Sequence, residues 1–308
     1  MVLIYTSLFF FCYHITVKSF SLNPFKLKSP LLLQLKSTSR NTNDIDLDII
    51  SDVQHSLNNN KKSLIEQLTE NGYAILDNFL SEKHQKILRN EAEDQYKNKR
   101  MSISKSTRWD EDLQQVVEYN KHNVYSMQLS GGEQYYEAPK LHEYLVGMVQ
   151  NMHQIIMTNK EFAKEALLSP KNFANKLAVC TGSGSSYDKH YDNSGAEDLR
   201  KLTILYYLNP EWKEGNGGYF RIYNDKTNTN KYIDIEPRGD RLLVFWADRL
   251  VHSVTPSYAD TDDDKRWALT LWMTTEDANA IVRDDEAVKA HFPPDANGKD
   301  QINSLNFH

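Results

Sequence analysis

His190-Tyr191-Asp192, followed far downstream by His252 and then by Arg266, are the residues of this chain best placed to do chemistry. On an extended strand, residues i and i+2 point to one side, so His190 and Asp192 can reach a common ion while Tyr191 faces away. A distant imidazole from His252 completes a two-His, one-carboxylate set. That set suits Fe(II) and leaves the opposite side of the ion open for an oxo-acid and dioxygen. His-x-Asp alone is a weak motif in a chain with 10 histidines, and a solvated turn is the plain alternative because Asn193-Ser194-Gly195 follows. Zinc takes the same donor types, so a zinc hydrolase stays open at this point.

Arg266 is a second, independent signal. It opens the run Arg-Trp-Ala-Leu-Thr-Leu-Trp, whose alternation puts Arg266, Ala268 and Thr270 on one face. A guanidinium directed into a barrel is costly without a carboxylate, and a bound dicarboxylate would supply that partner in bidentate fashion. The plain alternative is an ion pair with one of Asp262, Asp263 or Asp264. Tyr207 shares a face with Thr203 and Leu205; its hydroxyl can reach the same carboxylate, and Thr203 is grouped with it as a co-substrate candidate. A core tyrosine with a backbone partner is the alternative for Tyr207. Zinc hydrolysis offers no role for Arg266.

These residues need elements to position them. From Lys176 onward, short alternating runs follow one another between Gly, Asn, Pro and Asp: Leu202–Leu208, Tyr219–Tyr223, Tyr232–Ile235, Arg241–Trp246, His252–Thr255 and Trp267–Met273. Many short strands at near-regular spacing predict a sandwich or barrel. Upstream, Tyr73-Ala74-Ile75-Leu76 predicts a strand, Ser81 caps a helix reaching about Asn98, and Pro139 opens another. Leu141, Leu145, Met148, Met152 and Ile155 give that helix one buried stripe. Lys97–Arg108 is basic and polar and predicts a mobile loop, Asp44–Ser63 predicts a linker leading into a short helix, and Asp284–Ala290 a short C-terminal helix before a loose tail. The fold class is mainly β with flanking helices (α+β).

The chain has 308 residues, 40% of them hydrophobic, enough for one substantial core. A net charge of −6 gives no support to a nucleic-acid partner. The two cysteines, Cys12 and Cys180, exclude a disulfide framework or a Cys-rich zinc site. Val2–Val17 is apolar but too short and too interrupted for a stable membrane span. Followed by a basic, acid-free, Ser-rich stretch to Asn43, it predicts a targeting leader of plastid or secretory type, with a disordered tail on a cytoplasmic protein as the alternative. The expected organisation is a leader or tail over 1–43, a linker over 44–63, the catalytic domain over 64–283, and a helix and tail over 284–308.

Larger blocks carry a family likeness. Tyr187 to Asn193, Leu205-Tyr206-Tyr207-Leu208-Asn209 with Trp212, Gly217 to Ile222, Asp234-Ile235-Glu236-Pro237, Asp240 to Trp246 and His252 to Pro256 form an ordered set. Asn71-Gly72-Tyr73 through Leu80 extends it toward the amino terminus. The set resembles the catalytic domain of prolyl 4-hydroxylases, nearest to the hypoxia-inducible-factor prolyl hydroxylase branch of the 2-oxoglutarate/Fe(II) dioxygenases. The resemblance covers about Leu64 to Met273. It implies a double-stranded β-helix (jelly roll) packed against two or three N-terminal helices. It implies Fe(II) on His190, Asp192 and His252, with Arg266 and Tyr207 at the distal carboxylate of 2-oxoglutarate, and L-ascorbate as reductant. It implies 4-hydroxylation of a prolyl residue in a peptide or protein, with O2 consumed and succinate and CO2 released. A free-proline or small-metabolite dioxygenase and a non-catalytic, iron-retaining binding module are the rival implications. Two departures stand out. Cys180 occupies the place of a tyrosine that contacts the co-substrate in close relatives, and the gap from His252 to Arg266 is lengthened by Asp260–Asp264, which predicts a longer hairpin loop.

Overall fold

The computed structural model describes residues 47–292 apart from 111, 194, 196, 226 and 227. The expected leader and the tail after Phe292 lie outside the described residues. In chain order the elements are α1 (Ile49–Asn71), β1 (Tyr73–Leu76), α2 (Glu82–Lys97), β2 (Ser102–Asp110), β3 (Gln115–Met127), α3 (Gln134–Glu137), α4 (Pro139–Thr158), α5 (Lys160–Ala166), β4 (Leu168–Cys180), β5 (Ser185–His190), β6 (Arg200–Tyr207), β7 (Phe220–Ile222), β8 (Ile233–Ile235), β9 (Leu242–Trp246), β10 (His252–Ser257), β11 (Arg266–Thr275) and α6 (Asp285–His291).

The strands form two antiparallel sheets, one in the order β1-β9-β6-β11-β4-β3-β2 and the other β5-β10-β7-β8. This is the expected jelly roll. The large sheet separates two interiors. One face carries Leu202, Ile204, Leu242, Val244, Leu269 and Leu271 into a core shared with the helices. The other carries Leu205, Tyr207, Leu243, Phe245 and Ala268 toward Phe220, Ile222 and Ile235 of the small sheet.

The helices fold as amphipathic layers. Leu141, Leu145, Met148, Met152 and Ile155 of α4 are all buried, as their spacing predicts. Each contributes about 1.5–3 kcal/mol by leaving water. Helix α1 corrects the expected linker: residues 49–63 are its first two thirds. Ile49, Val53, Leu57, Leu64 and Leu68 make a continuous buried stripe, while Asn58 and Asn59 lie on the exposed side. Poor helix formers on the wet face cost little against such a stripe. At Gly147 a Cβ would stand 3.2 Å from Cα of Ile50 and Cβ of Val53, so a side-chain-free residue is what lets α4 approach α1.

Two further expectations are corrected. The segment expected as a mobile loop is the first arm of the β2–β3 hairpin, which joins the large sheet through β4. Ser104, Ser106 and Lys121 are buried in its arms beside Val124, so most of the described buried positions are polar and lack the hydrophobic alternation that announces a strand. The segment between His252 and Arg266 is not a hairpin loop either. Strand β10 lies in the small sheet and β11 in the large one, so Tyr258–Lys265 crosses between sheets.

Candidate metal centre and oxo-acid pocket

His190 and His252 are direct cross-strand partners in the β5–β10 pair, and their ring centroids lie 4.3 Å apart. Asp192 lies just beyond the end of β5 rather than on it, a small departure from the expected strand. The Asn193 amide donates to Ala247 O at 3.0 Å and holds that exit in place. Nε2 of His190 and Nε2 of His252 lie 3.6 Å and 3.7 Å from Asp192 Oδ1. The three side chains are buried, and their ligand atoms lie within 4.8 Å of one another. Tyr191 points away, packed with Val251 and Phe292.

The surroundings orient this donor set. Nδ1 of His190 bonds Asp188 O at 2.6 Å, and Nδ1 of His252 bonds Leu250 O at 3.0 Å. A carbonyl only accepts, so both Nδ1 atoms carry the proton and both Nε2 atoms present lone pairs to the shared point. Burial, reinforced by His190, pushes His252 down to about 4, against the pull of Asp192. It is therefore neutral near pH 7, the form that binds metal. Burial opposes ionisation of Asp192, but the two imidazoles outweigh it and hold the carboxyl well below its usual range. Thr203 Oγ1 donates to Asp192 Oδ2 at 2.7 Å. Phe220 stacks on His252 with centroids 4.7 Å apart, and Phe245 packs edge-on at 5.0 Å. Two neutral imidazoles and an anchored carboxylate, with apolar rings on one side, fit a divalent iron with open positions.

Arg266 faces the same cavity as His190, Asp192 and His252. It is 6% exposed, and no carboxylate among the described residues pairs with it. Its Nε donates to Gly218 O at 2.7 Å. Gly218 has φ +68°, and a Cβ there would lie 2.7 Å from Arg266 Cδ, so glycine makes room for the arginine. The guanidinium lies 5.2 Å from the Tyr207 ring centroid, and Tyr207 Oη is buried without a hydrogen-bond partner. Burial pushes this phenol up to about 12, against the pull of Arg266, so it stays a donor. An unpaired guanidinium beside an orphaned phenol fits a carboxylate and leaves the Asp262–Asp264 alternative unsupported. Those acids instead meet Lys265, Thr261 and Asn216. Thr203, expected with the co-substrate residues, bonds Asp192; the inner face of β6 passes the metal ligands before it reaches Tyr207. Cys180 is buried and directly opposite Arg266 across β4–β11.

Some residues of the cavity went unread in the sequence. Lys176 stands opposite Thr270 in the β4–β11 register, and Lys121 reaches in from β3. Period-two phasing of Lys176, Ala178 and Cys180 was the available signal. Tyr187 underlies both lysines, 4.2 Å from Lys121 Nζ and 5.4 Å from Lys176 Nζ. Burial, then the neighbouring Lys176, pushes Lys121 down to about 7; burial also lowers Lys176.

Known proteins are similar to this chain in sequence and fold. Residues 176–274 match the family profile described as 2OG-Fe(II) oxygenase superfamily. Over 131 residues the chain is 35% identical to Egl nine homolog 1 of Rattus norvegicus, covering 40% of this chain and 36% of that protein. Over 211 residues it is 28% identical to the hypoxia-inducible factor prolyl hydroxylase of Caenorhabditis elegans, covering 68% of this chain and 27% of that protein. A solved prolyl hydroxylase from Trichoplax adhaerens, bound to a hypoxia-inducible-factor oxygen degradation domain peptide, superposes with a TM-score of 0.57 at 26% identity. That match covers 75% of this chain and 96% of the Trichoplax chain. The aligned part spans roughly a third of the length of the curated relatives (36% and 27%). No helix among the described residues is long and apolar enough to cross a membrane. The chain carries a 2OG-Fe(II) oxygenase domain, a family that works with Fe(II) and 2-oxoglutarate, and is a homologue of the hypoxia-inducible-factor prolyl hydroxylases.

Proposed function

We propose that this chain is a peptidyl-proline 4-dioxygenase: it hydroxylates a prolyl residue in a peptide or protein, consuming O2 and 2-oxoglutarate and releasing succinate and CO2. The observation that carries the reading is one buried cavity holding both an oriented His-Asp-His set and an arginine with no carboxylate of its own. The prolyl substrate class is supported by the likeness to the peptide-bound Trichoplax enzyme.

His190, Asp192 and His252 are the residues that would hold the iron, and Arg266 with Tyr207 Oη would hold the distal carboxylate of 2-oxoglutarate. When bound, the iron and oxo-acid together supply the oxidising power needed to hydroxylate an unactivated C–H bond. The protein supplies placement and dryness. Thr203 fixes the carboxylate of Asp192, and the backbone carbonyls of Asp188 and Leu250 fix the two imidazoles. Phe220 and Phe245 keep water from the flank of His252. L-Ascorbate, usual for such enzymes, would keep the iron ferrous.

A groove between the β2–β3 hairpin and β5, lined by Ser106, Tyr119, His122 and Asp188, opens onto His190 and has a volume of about 170 Å³. This groove is the proposed entry for the prolyl side chain. The test is incubation with Fe(II), ascorbate, 2-oxoglutarate and a proline-peptide library, read by mass spectrometry. Gain of one oxygen on proline is expected. Succinate release driven only by free proline or another small molecule would replace the peptidyl reading. No succinate release under any condition would leave a binding module.

A further inference from the structure

Four cationic side chains line the cavity: Lys121, Lys176, Arg200 and Arg266. One acid, Asp192, lines it with them. Arg200 is already engaged, forked onto Asp198 through Nε and Nη2 at 2.9 Å and 2.5 Å. Arg266 has the oxo-acid carboxylate as its partner under the function proposed above. Under that same reading the charges of a ferrous ion, Asp192, Arg266 and the 2-oxoglutarate dianion cancel. The two lysines, whose cationic forms burial disfavours, have no ion-pair partner among the described residues.

Neither lysine has a hydrogen bond or an ion pair among the described residues; each rests only on aromatic faces. Lys121 is 8% exposed and lies over Tyr187. Lys176 lies between Tyr187 and Trp272, 5.4 Å and 5.5 Å from the two ring centroids. Cation–π contact offsets only part of the cost of drying an ammonium group, and two like charges beside one ring add repulsion. Asp192 is bonded by Thr203 beside the histidines; Asp188 accepts from the Tyr119 hydroxyl at 3.2 Å and attracts Lys121 without forming an ion pair with it. The surface groove and the metal cavity share Lys121, Tyr187 and His190, so a chain threading from one to the other passes the lysine pair.

We infer that Lys121 and Lys176 form a carboxylate-recognition site beside the metal centre, and that the substrate is a proline whose own carboxylate, or that of an adjacent acidic residue, docks there. The inference rests on the dioxygenase reading only for the identity of the reacting residue. A carboxylate between the two ammonium groups supplies the missing counter-charge and places the neighbouring proline ring at the mouth of the metal cavity. Cation pairs of this kind select by charge more than by shape.

The test uses the full chain loaded with Mn(II) as a redox-silent stand-in, with 2-oxoglutarate present. Fluorescence polarisation reads binding of labelled proline peptides that differ only in the flanking residue: Asp, Asn or Lys. A further pair ends in proline as the free acid or the amide. The Asp peptide or the free-acid peptide is expected to bind about tenfold or more tighter than its neutral counterpart, with the Lys peptide weakest. Whichever acidic probe leads tells whether the carboxylate is a side chain or a chain end. Lys121→Met and Lys176→Met should each shrink the acidic-to-neutral ratio, and the double variant should bring it to about one. Lys176→Arg should preserve the ratio. Thermal melts confirm folding, which loss of a dry charge does not threaten.

Equal binding of acidic and neutral peptides by the native protein overturns the inference, as does a ratio that survives in the double variant. It is equally overturned if the Met variants lose affinity for 2-oxoglutarate but keep the peptide ratio, since the lysines would then serve the oxo-acid. The same peptides are run with Fe(II) and scored for succinate. Acidic selectivity in binding without succinate supports the lysine site and sinks the hydroxylase. Succinate without acidic selectivity does the reverse.

Discussion

The two faces of the large sheet are built from alternate residues of the same strands and have opposite chemistry. Along β11, Trp267, Leu269, Leu271 and Met273 enter the helical core, while Arg266, Ala268, Thr270 and Trp272 line the cavity. On β4, Leu177 and Val179 face the helices, and Lys176 and Ala178 face the cavity. One face is a close-packed apolar layer that supplies stability. The other carries a guanidinium and two lysines without ion-pair partners among the described residues, and an orphaned phenol, each of which costs stability in the absence of ligand. Function is thus carried by polar residues set within the face that packs on the small sheet, and the helix-backed face holds the sheet rigid enough to bear them.

The sharpest way to break that division is Asp192→Asn, which keeps volume and removes the anionic donor. Fe(II)-dependent turnover is expected to fall to background, while the melting temperature of the metal-free protein moves far less than for a helix-face variant. Leu271→Ala, at a side chain 1% exposed, is the converse. It should cost about 2–5 kcal/mol in urea unfolding and leave the metal affinity of the folded fraction intact. If Leu271→Ala weakened metal binding as strongly as Asp192→Asn, the two faces would be coupled rather than separate.

Arg266→Gln sharpens the comparison within the cavity. Losing one partner of a buried charge pair costs about 2 kcal/mol or more, so the dissociation constant for 2-oxoglutarate should rise about thirtyfold or more by calorimetry, with metal affinity retained. Thr203→Val removes the hydroxyl that holds Asp192 and should weaken metal binding about 10–100-fold, the usual range for such supports. Little change would show that Asp192 is held by packing alone.

The smallest effect is expected at the rim. Arg241 binds Asp77, whose side chain is 53% exposed, and that hydrogen bond holds the Asp77 carboxyl below its ordinary 3.8. The contribution is therefore full above that value and is lost as pH falls through the lower folded-state value. Asp77→Asn should cost less than about 1 kcal/mol at pH 7, read by denaturant melts, because an exposed pair is well screened.

The metal centre was legible because the i, i+2 spacing of His190 and Asp192 puts them on one side of an extended chain and His252 opens a strand run; in the fold His252 opens β10 opposite His190 at the end of β5. Arg266 was legible for the same reason: it phases with Ala268 and Thr270 while apolar residues fill the other register. The β2–β3 hairpin was not, since Ser104, Ser106 and Lys121 are buried there with only Val124 as an apolar companion among the described residues. A strand that walls a polar cavity has no apolar face to reveal it. Helix α1 was hidden by composition: Asn58-Asn59-Asn60 reads as a linker until Val53, Leu57, Leu64 and Leu68 are laid on a helical wheel. Thr203 was found as a site residue, and the structure adds its hydrogen bond to Asp192. Strand phase fixes the face a residue lies on, and only the three-dimensional pairing fixes how far along the cavity it falls.

The central claim is that metal and oxo-acid share one cavity, the first held by His190, Asp192 and His252 and the second by Arg266. Calorimetric titration of 2-oxoglutarate into Mn(II)-loaded protein, metal-free protein and the Mn(II)-loaded Arg266→Gln variant tests it most directly. One-to-one binding that is strong only when both the metal and Arg266 are present is predicted. Equal affinity with and without metal, or undiminished affinity in Arg266→Gln, would contradict it.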